Sequence, residues 1–320
     1  MNRRALMITS TMFAATAVWP LRHARADAKT LRIGFQKYGT LVLLKEKGAL
    51  ETALQPLGFE VTWTEFPGGP QLLEALNVGA IDYGTTGEAP PIFAQAAGAP
   101  LIYVGYEPPA PKGEAILVPK DSPLKSVADL KGKKVALNKG SNVHYLLVRA
   151  LEEAGLSVKD IEPVYLAPAD GRAAFEQGAV DAWVIWDPFY AAAEAATGAR
   201  ILADGKKADG QDLVSNHQFF LASRDFARAN PKVIDIIGTQ LAAIDAWAKA
   251  DPKGVAAMLS PKVGIPADIL EVAVVRQAYG VAPLTPDVVA EQQKIADTFY
   301  KLGLIPQPIA VSDAVVKLGS

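Results

Sequence analysis

Three short stretches join small residues to what reads as the start of a helix: Pro67-Gly68-Gly69-Pro70-Gln71, Thr85-Thr86-Gly87-Glu88-Ala89-Pro90 and Lys139-Gly140-Ser141-Asn142-Val143-His144. A helix start leaves about four backbone N–H groups unpaired and carries a partial positive charge. Glycine lets a ligand approach the backbone, and Thr or Ser adds a hydroxyl donor. Such turns can hold an anion without a cationic side chain. Thr86, Ser141 and Asn142 are also ordinary N-cap residues, so each stretch taken singly reads as capping. Three of them in one chain shift the balance towards anion binding. Trp183, Trp186, Phe189 and Tyr190 crowd the end of one strand. Strand alternation lets Trp183 enter the core and Trp186 form an apolar ligand wall, unless the following helix covers both.

Reactive chemistry finds little support. The chain has no cysteine, which removes disulfides, thiolate metal sites and a cysteine nucleophile together. Its three histidines, His23, His144 and His217, fall in no H-E-x-x-H or H-x-x-E-H pattern. No G-x-S-x-G elbow and no G-x-x-x-x-G-K-[ST] phosphate loop occurs. Asp82 and Asp181 read as turn or surface acids rather than a catalytic pair. No catalytic residue, metal or cofactor is expected.

The elements that must position these turns follow an α/β rhythm. With 320 residues, half of them hydrophobic and 21% charged, the chain has material for about two domains with a real core. Leu31–Phe35 reads as a strand, 40–55 as a helix, Phe59–Phe66 as an alternating strand, and Gln71–Val78 as a helix. Leu76-Asn77-Val78-Gly79-Ala80-Ile81-Asp82 returns 99 positions later as Phe175-Glu176-Gln177-Gly178-Ala179-Val180-Asp181. In each copy a helix should end at the glycine and a strand should follow. The echo continues as Gly87-Glu88-Ala89-Pro90 opposite Trp186-Asp187-Pro188-Phe189, each before an Ala-rich helix. Two similar α/β lobes explain this, although seven loosely matched positions can also arise by chance. Open α/β sheets bind ligands outside the carboxyl ends of their strands, so two facing lobes make a cleft.

Further strands are expected at 115–118, 135–137 and 219–222, a helix at 143–154, a surface loop at 204–211, and helices at 233–249, 269–278 and 286–302. The strand at 219–222 reads as a return crossing, which makes the first lobe discontinuous. Residues 1–26 have the layout of a secretory signal peptide: Arg3-Arg4, an apolar run to Leu21, then Ala24-Arg25-Ala26. Without that leader the chain keeps 28 basic residues against 34 acidic ones, formally −6, and shows no basic cluster suited to nucleic acid.

The chain resembles the periplasmic aliphatic-sulfonate-binding proteins, substrate-binding components of ABC importers within the nitrate/taurine/sulfonate-binding family. The resemblance covers nearly all of the chain after the leader. It rests on Leu31-Arg32-Ile33-Gly34-Phe35-Gln36-Lys37, on Glu65-Phe66-Pro67-Gly68-Gly69-Pro70-Gln71 and its continuation to Gly79, and on Pro90-Pro91-Ile92-Phe93-Ala94-Gln95-Ala96-Ala97-Gly98. Tyr103-Val104-Gly105, Asn138-Lys139-Gly140-Ser141, Ala182-Trp183-Val184-Ile185-Trp186-Asp187-Pro188 and Ala296-Asp297-Thr298-Phe299-Tyr300 extend it.

That resemblance implies a periplasmic binding protein type II-like α/β fold, with two lobes joined by a two-stranded hinge around a cleft. Lobe I would comprise 29–112 and 216–320, and lobe II 113–215. Gln36, Gly68, Gln71, Thr86, Gly87 and Glu88 would line the first lobe. Ser141, Asn142, His144, Asp170, Trp186 and Asp187 would line the second. Backbone N–H groups with the Ser141, Asn142 and Thr86 side chains would hold the head group, and Trp186 with Phe35 or Tyr106 would hold the tail. Glu88 departs from the Asp usual in relatives. The implied ligand is an alkanesulfonate and the implied partner an inner-membrane ABC permease. The protein would act as a periplasmic monomer without a lipid anchor and without nucleic acid. Nitrate, taurine and a thiamine-precursor pyrimidine are rival ligands. An enzyme acting on a sulfonate or sulfinate is the rival from another class.

Overall fold

The computed structural model describes residues 29–315, so the expected leader at 1–26 lies outside the described residues. The first half builds β1 (Lys29–Phe35), α1 (Thr40–Lys47), α2 (Ala49–Leu54), β2 (Phe59–Glu65), α3 (Gly69–Asn77), β3 (Tyr83–Gly87), α4 (Ala89–Ala96) and β4 (Leu101–Tyr106). A second set follows: β5 (Glu114–Val118), β6 (Lys134–Leu137), α5 (Asn142–Glu153), β7 (Glu162–Tyr165), α6 (Pro168–Glu176), β8 (Ala182–Trp186), α7 (Phe189–Thr197) and β9 (Arg200–Asp204). The chain then returns as β10 (Gln218–Ser223), followed by α8 (Arg224–Ala229), α9 (Pro231–Ala250), α10 (Pro252–Val263), α11 (Ala267–Arg276) and α12 (Pro286–Lys301).

These strands form two five-stranded sheets, ordered β2-β1-β3-β10-β4 and β7-β6-β8-β5-β9. In the first, β1 runs parallel to β2 and β3, and β10 lies antiparallel between β3 and β4. In the second, β6 runs parallel to β7 and β8, and β5 lies antiparallel between β8 and β9. The inserted antiparallel strand is the return crossing that the 219–222 pattern announced. Among the described residues no helix is long and apolar enough to cross a membrane.

The sequence echo is structural. Helix α3 plus 99 residues is α6 and strand β3 plus 99 is β8, with matching ends. Gly79 and Gly178 both take left-handed φ, 72° and 68°, at the turn after the helix. The next residues close the same bond in both copies, from Ala80 N to Ala75 O and from Ala179 N to Ala174 O. Asp82 and Asp181, expected as turn acids, pin the neighbouring strand. Asp82 Oδ2 accepts the N–H of Arg32 at 2.9 Å, and Asp181 Oδ2 accepts that of Lys134 at 2.8 Å.

The copies differ in one respect. Asp82 is buried and also holds the Arg32 guanidinium through both oxygens, at 2.9 and 2.6 Å, whereas Asp181 has no such partner among the described residues. Asp82→Ala should therefore destabilise by about 2–3 kcal/mol and Asp181→Ala by about 1 kcal/mol in urea unfolding. Equal losses would contradict the assignment of the difference to Arg32.

Several expected boundaries move. The helix after Gly39 is broken by Gly48 in the left-handed region, giving α1 and α2. Strands β7 and β9 and helix α10 carry too weak a pattern to be read. Both strands are the edges of their sheet and neither is buried along its length, so alternation is blurred. Two segments, 107–113 and 205–217, cross side by side between the sheets. Ala110 N bonds Ser215 O at 3.0 Å, and Gly205 N bonds Pro111 O at 3.0 Å.

Candidate functional site

The parallel strands of both sheets point their carboxyl ends into one cleft. Gln36 follows β1, Phe66 and Pro67 follow β2, Gly87 ends β3, and Trp186 ends β8. The cleft holds two connected spaces that share Gln36, Tyr38 and Trp186. The inner one is small, about 10 Å³, and none of its lining residues is charged: the shared three plus Gly69, Gly87, Pro90, Ser141 and Asn142. The outer one, about 280 Å³, is walled by Phe66, Pro67, Trp186, Phe189 and the Ala167–Ala169 turn. Lys37 and Glu65 stand at its rim with Nζ and Oε1 3.8 Å apart, both half-exposed.

Donors at the inner space come from main chain. Helices α3 and α5 start there behind Gly68 and Ser141, and neither start is capped by a side chain. An α-helix leaves the N–H groups of its first turn without an i−4 partner. Here these are Gly69 and Gln71 in α3 and Asn142 and Val143 in α5, since Pro70 has no N–H and His144 N already bonds Ser141 O at 3.0 Å. The side chains expected to help are engaged elsewhere. Ser141 Oγ donates to Asn138 O at 2.7 Å, Thr86 Oγ1 to Gly87 O at 3.0 Å, and Asn142 Nδ2 to Asn216 Oδ1 at 2.6 Å. The third expected helix start, that of α4, carries Pro90 and Pro91 and so lacks two of its donors.

Glycines here allow close approach. A Cβ on Gly69 would lie 2.7 Å from Pro90 and 3.0 Å from Thr86. On Gly68 it would lie 3.2 Å from Gln71 Oε1, 3.5 Å from Asn138 Nδ2 and 3.7 Å from Trp186. On Gly87 it would fall within the Asn142 amide. Gly68 and Gly87 thus belong to sheet-one elements and touch sheet-two residues directly. Gln36 is buried and donates through Nε2 to Thr85 O at 3.1 Å. Gln71 lies against Gly68 with its Oε1 buried and unpartnered.

Four residues of the expected set face elsewhere. Glu88 is buried and accepts the His217 N–H at 3.1 Å, in a separate cavity of about 220 Å³ with Tyr145, Arg149, Ser215 and Glu291. Burial pushes its carboxyl up to about 8. Asp187 faces a different small pocket, of about 30 Å³, with Tyr38, Gly113, Asn216 and Gln218, accepting the Ala191 N–H at 3.0 Å and meeting Arg276 Nη1 at 3.5 Å. Burial, partly offset by Arg276, pushes it up to about 7. His144 is fully buried against the Phe93 and Phe299 pair, at ring-centroid distances of 6.3 and 5.8 Å. Burial and then Lys139 pull it down to about 4, which keeps it neutral. Asp170 is exposed in the first turn of α6, beside the lining Ala169 but outside the cavity.

Trp183 is buried under Gly171 and beside Phe175, while Trp186 forms the wall. Phe35 packs edge-on against Trp63 at 6.1 Å, and Tyr106 against His217 at 5.4 Å, so neither forms the tail wall. The aromatic residues that do line the outer space, besides Trp186, are Tyr38, Phe66 and Phe189. Their signal was position: each follows a strand or its turn at the cleft end.

A family model described as NMT1/THI5 like matches residues 55–258. The alkanesulfonate-binding protein of Xanthomonas axonopodis pv. citri, solved bound to MOPS, superposes with a TM-score of 0.84. It shares 46% identity, over 90% of this chain and 98% of that one. The periplasmic aliphatic sulphonate binding protein of Escherichia coli superposes with a TM-score of 0.79 at 46% identity, over 90% and 97%. The taurine-binding periplasmic protein of Escherichia coli strain K12 is 28% identical over 72% of this chain and 69% of its own.

Proposed function

The chain belongs to the NMT1/THI5-like family, and from that premise we propose that it is a solute-binding protein that captures aliphatic sulfonates in the cleft and delivers them to an ABC importer. The observation that carries this is the pairing of an uncharged inner space, faced by two uncapped helix starts, with an aromatic outer compartment. A sulfonate holds one delocalised negative charge at all physiological pH values, so its head group asks for donors and offers no proton. Phosphate carries an exchangeable proton near neutrality and asks for an acceptor as well. Main-chain N–H groups in an inner space without cations suit the former. The tail then lies along Trp186 towards Phe66 and Phe189.

No bond is made or broken in this function. Ligand bridges the two sheets' elements and favours the closed arrangement to the extent that it binds that form better. Lobe I is taken as 29–112 with 216–320, lobe II as 113–215, and 1–26 as an export leader. The mature protein then works as a periplasmic monomer that presents its closed form to a membrane permease.

Calorimetry with a series of linear alkanesulfonates tests the reading. Affinity should rise about fourfold per added methylene until the outer compartment is filled, following burial of about 0.8 kcal/mol each. Nitrate, taurine and a pyrimidine should bind more weakly. Affinity that ignores tail length, or that favours nitrate, would remove the sulfonate assignment. Small-angle scattering should show compaction at saturation.

A further inference from the structure

Asn216 is the one non-glycine residue with a positive φ, 52°, among the described residues. Asn enters the left-handed region more readily than most side chains, but a residue held there is usually held by its surroundings. Here the surroundings come from three directions. Its Oδ1 accepts from Asn142 Nδ2 at 2.6 Å, at the start of the helix that faces the inner space. Its Nδ2 donates to Ala110 O at 2.9 Å, on the other crossing segment. Its backbone N–H, with that of His217, is directed at the Glu88 carboxylate at the end of β3. The residue is 4% exposed, so bulk water has little access to these contacts. Asn142, in turn, packs so tightly on Gly87 that no Cβ fits between them.

We infer that Asn216 is the positioning residue that couples the ligand site to hinge bending: it holds Asn142 against Gly87 and ties that contact to both crossing segments. The inference rests on the cleft being the ligand site. Without the Asn216 amide, Asn142 loses the acceptor that fixes its orientation, and the crossing segments lose their side-chain link to the α5 start. Ligand then closes the two lobes less completely. The role of Glu88 follows too. It anchors the backbone of the pivot from lobe I and has no part in holding the ligand.

Asn216→Gly is the decisive variant, because glycine accepts the left-handed backbone and only the amide contacts disappear. The chain has no cysteine, so spin labels placed through Val78→Cys and Lys159→Cys, both exposed, report the distance between lobes. With 1-hexanesulfonate as probe, Asn216→Gly should lower affinity by about tenfold or more and broaden the interlobe distances at saturation. Adding Asn142→Ala to Asn216→Gly should lower affinity less than twofold further, since both remove one linkage. Additive losses, or distance distributions identical to wild type with and without ligand, would overturn the inference. A wild type that binds no sulfonate would instead retire the ligand assignment. In that case broadened distances in ligand-free Asn216→Gly still support the pivot, and unchanged ones still overturn it.

Discussion

Gly87→Ala should weaken ligand binding by about tenfold to a hundredfold while leaving the fold intact. Gly87 ends β3 in extended backbone that alanine adopts freely, so β3 itself bears no strain. The added methyl, however, occupies the place of the Asn142 amide. Asn142 can retreat only by giving up its bond to Asn216, leaving buried polar atoms unpaired at about 1–3 kcal/mol. Each 1.4 kcal/mol is a factor of ten in affinity. Calorimetry together with a melting curve checks this. The expected result is a large affinity loss with a melting temperature within a few degrees of wild type. Unchanged affinity would mean that the Gly87–Asn142 contact is not part of the liganded state.

Stability should fall as pH rises from neutrality to about 8. Glu88 sits in the folded chain at about 8 against an ordinary 4.5, because burial opposes its charge. Asp187 is at about 7 for the same reason, and burial pushes Glu114 and Glu107 upward as well, the latter together with Asp245. A carboxyl with a raised folded value binds its proton more tightly when folded. Its contribution is therefore complete below about 4.5 and lost as pH climbs through the folded value. For Glu88 alone this is on the order of 3–5 kcal/mol. His144 works in the opposite direction, but only between about 4 and its ordinary 6.5. The net decline therefore begins near 4.5, is partly offset by His144 up to about 6.5, and runs unopposed from there to about 8.

Glu114→Gln isolates one of these acids. Both Glu114 oxygens are buried without partners, next to the Coulombic influence of Glu88. The amide keeps the shape and removes the charge. Melting temperatures should match wild type near pH 5 and exceed it at pH 9. A wild-type curve that is flat or rising between pH 6.5 and 9 would show that these groups ionise without cost.

Much of the scaffold was legible because its signals are local. Helix α3, strand β3 and their copies α6 and β8 announce themselves by a repeated Gly-Ala-branched-Asp segment, and the two glycines are left-handed for the same backbone reason. The helix starts behind Gly68 and Ser141 were equally visible, since small residues before an apolar run mark them. Edge strands β7 and β9 and helix α10 were not, because partial exposure blurs the pattern by which elements are read.

The site divides along the same line. Glu88 and Asp187 occupy equivalent places in the echo, one residue past the β3 and β8 strand ends, and neighbour residues that do line the cleft. Both nevertheless turn inward, to His217 and to Ala191 with Arg276. His144, two residues past Asn142, goes to an aromatic core formed with Phe93 and Phe299.

By itself, then, the sequence determined two α/β units of one design and the main-chain donors at their helix starts, because these depend on neighbours a few residues away. Only the tertiary structure decided which side chains remain free for a ligand. Ser141, Thr86 and Asn142 lost their donors to partners, and the Asn142 partner lies 74 residues away. A buried polar group must satisfy its hydrogen bonds wherever the fold brings a partner, and no local pattern encodes that choice.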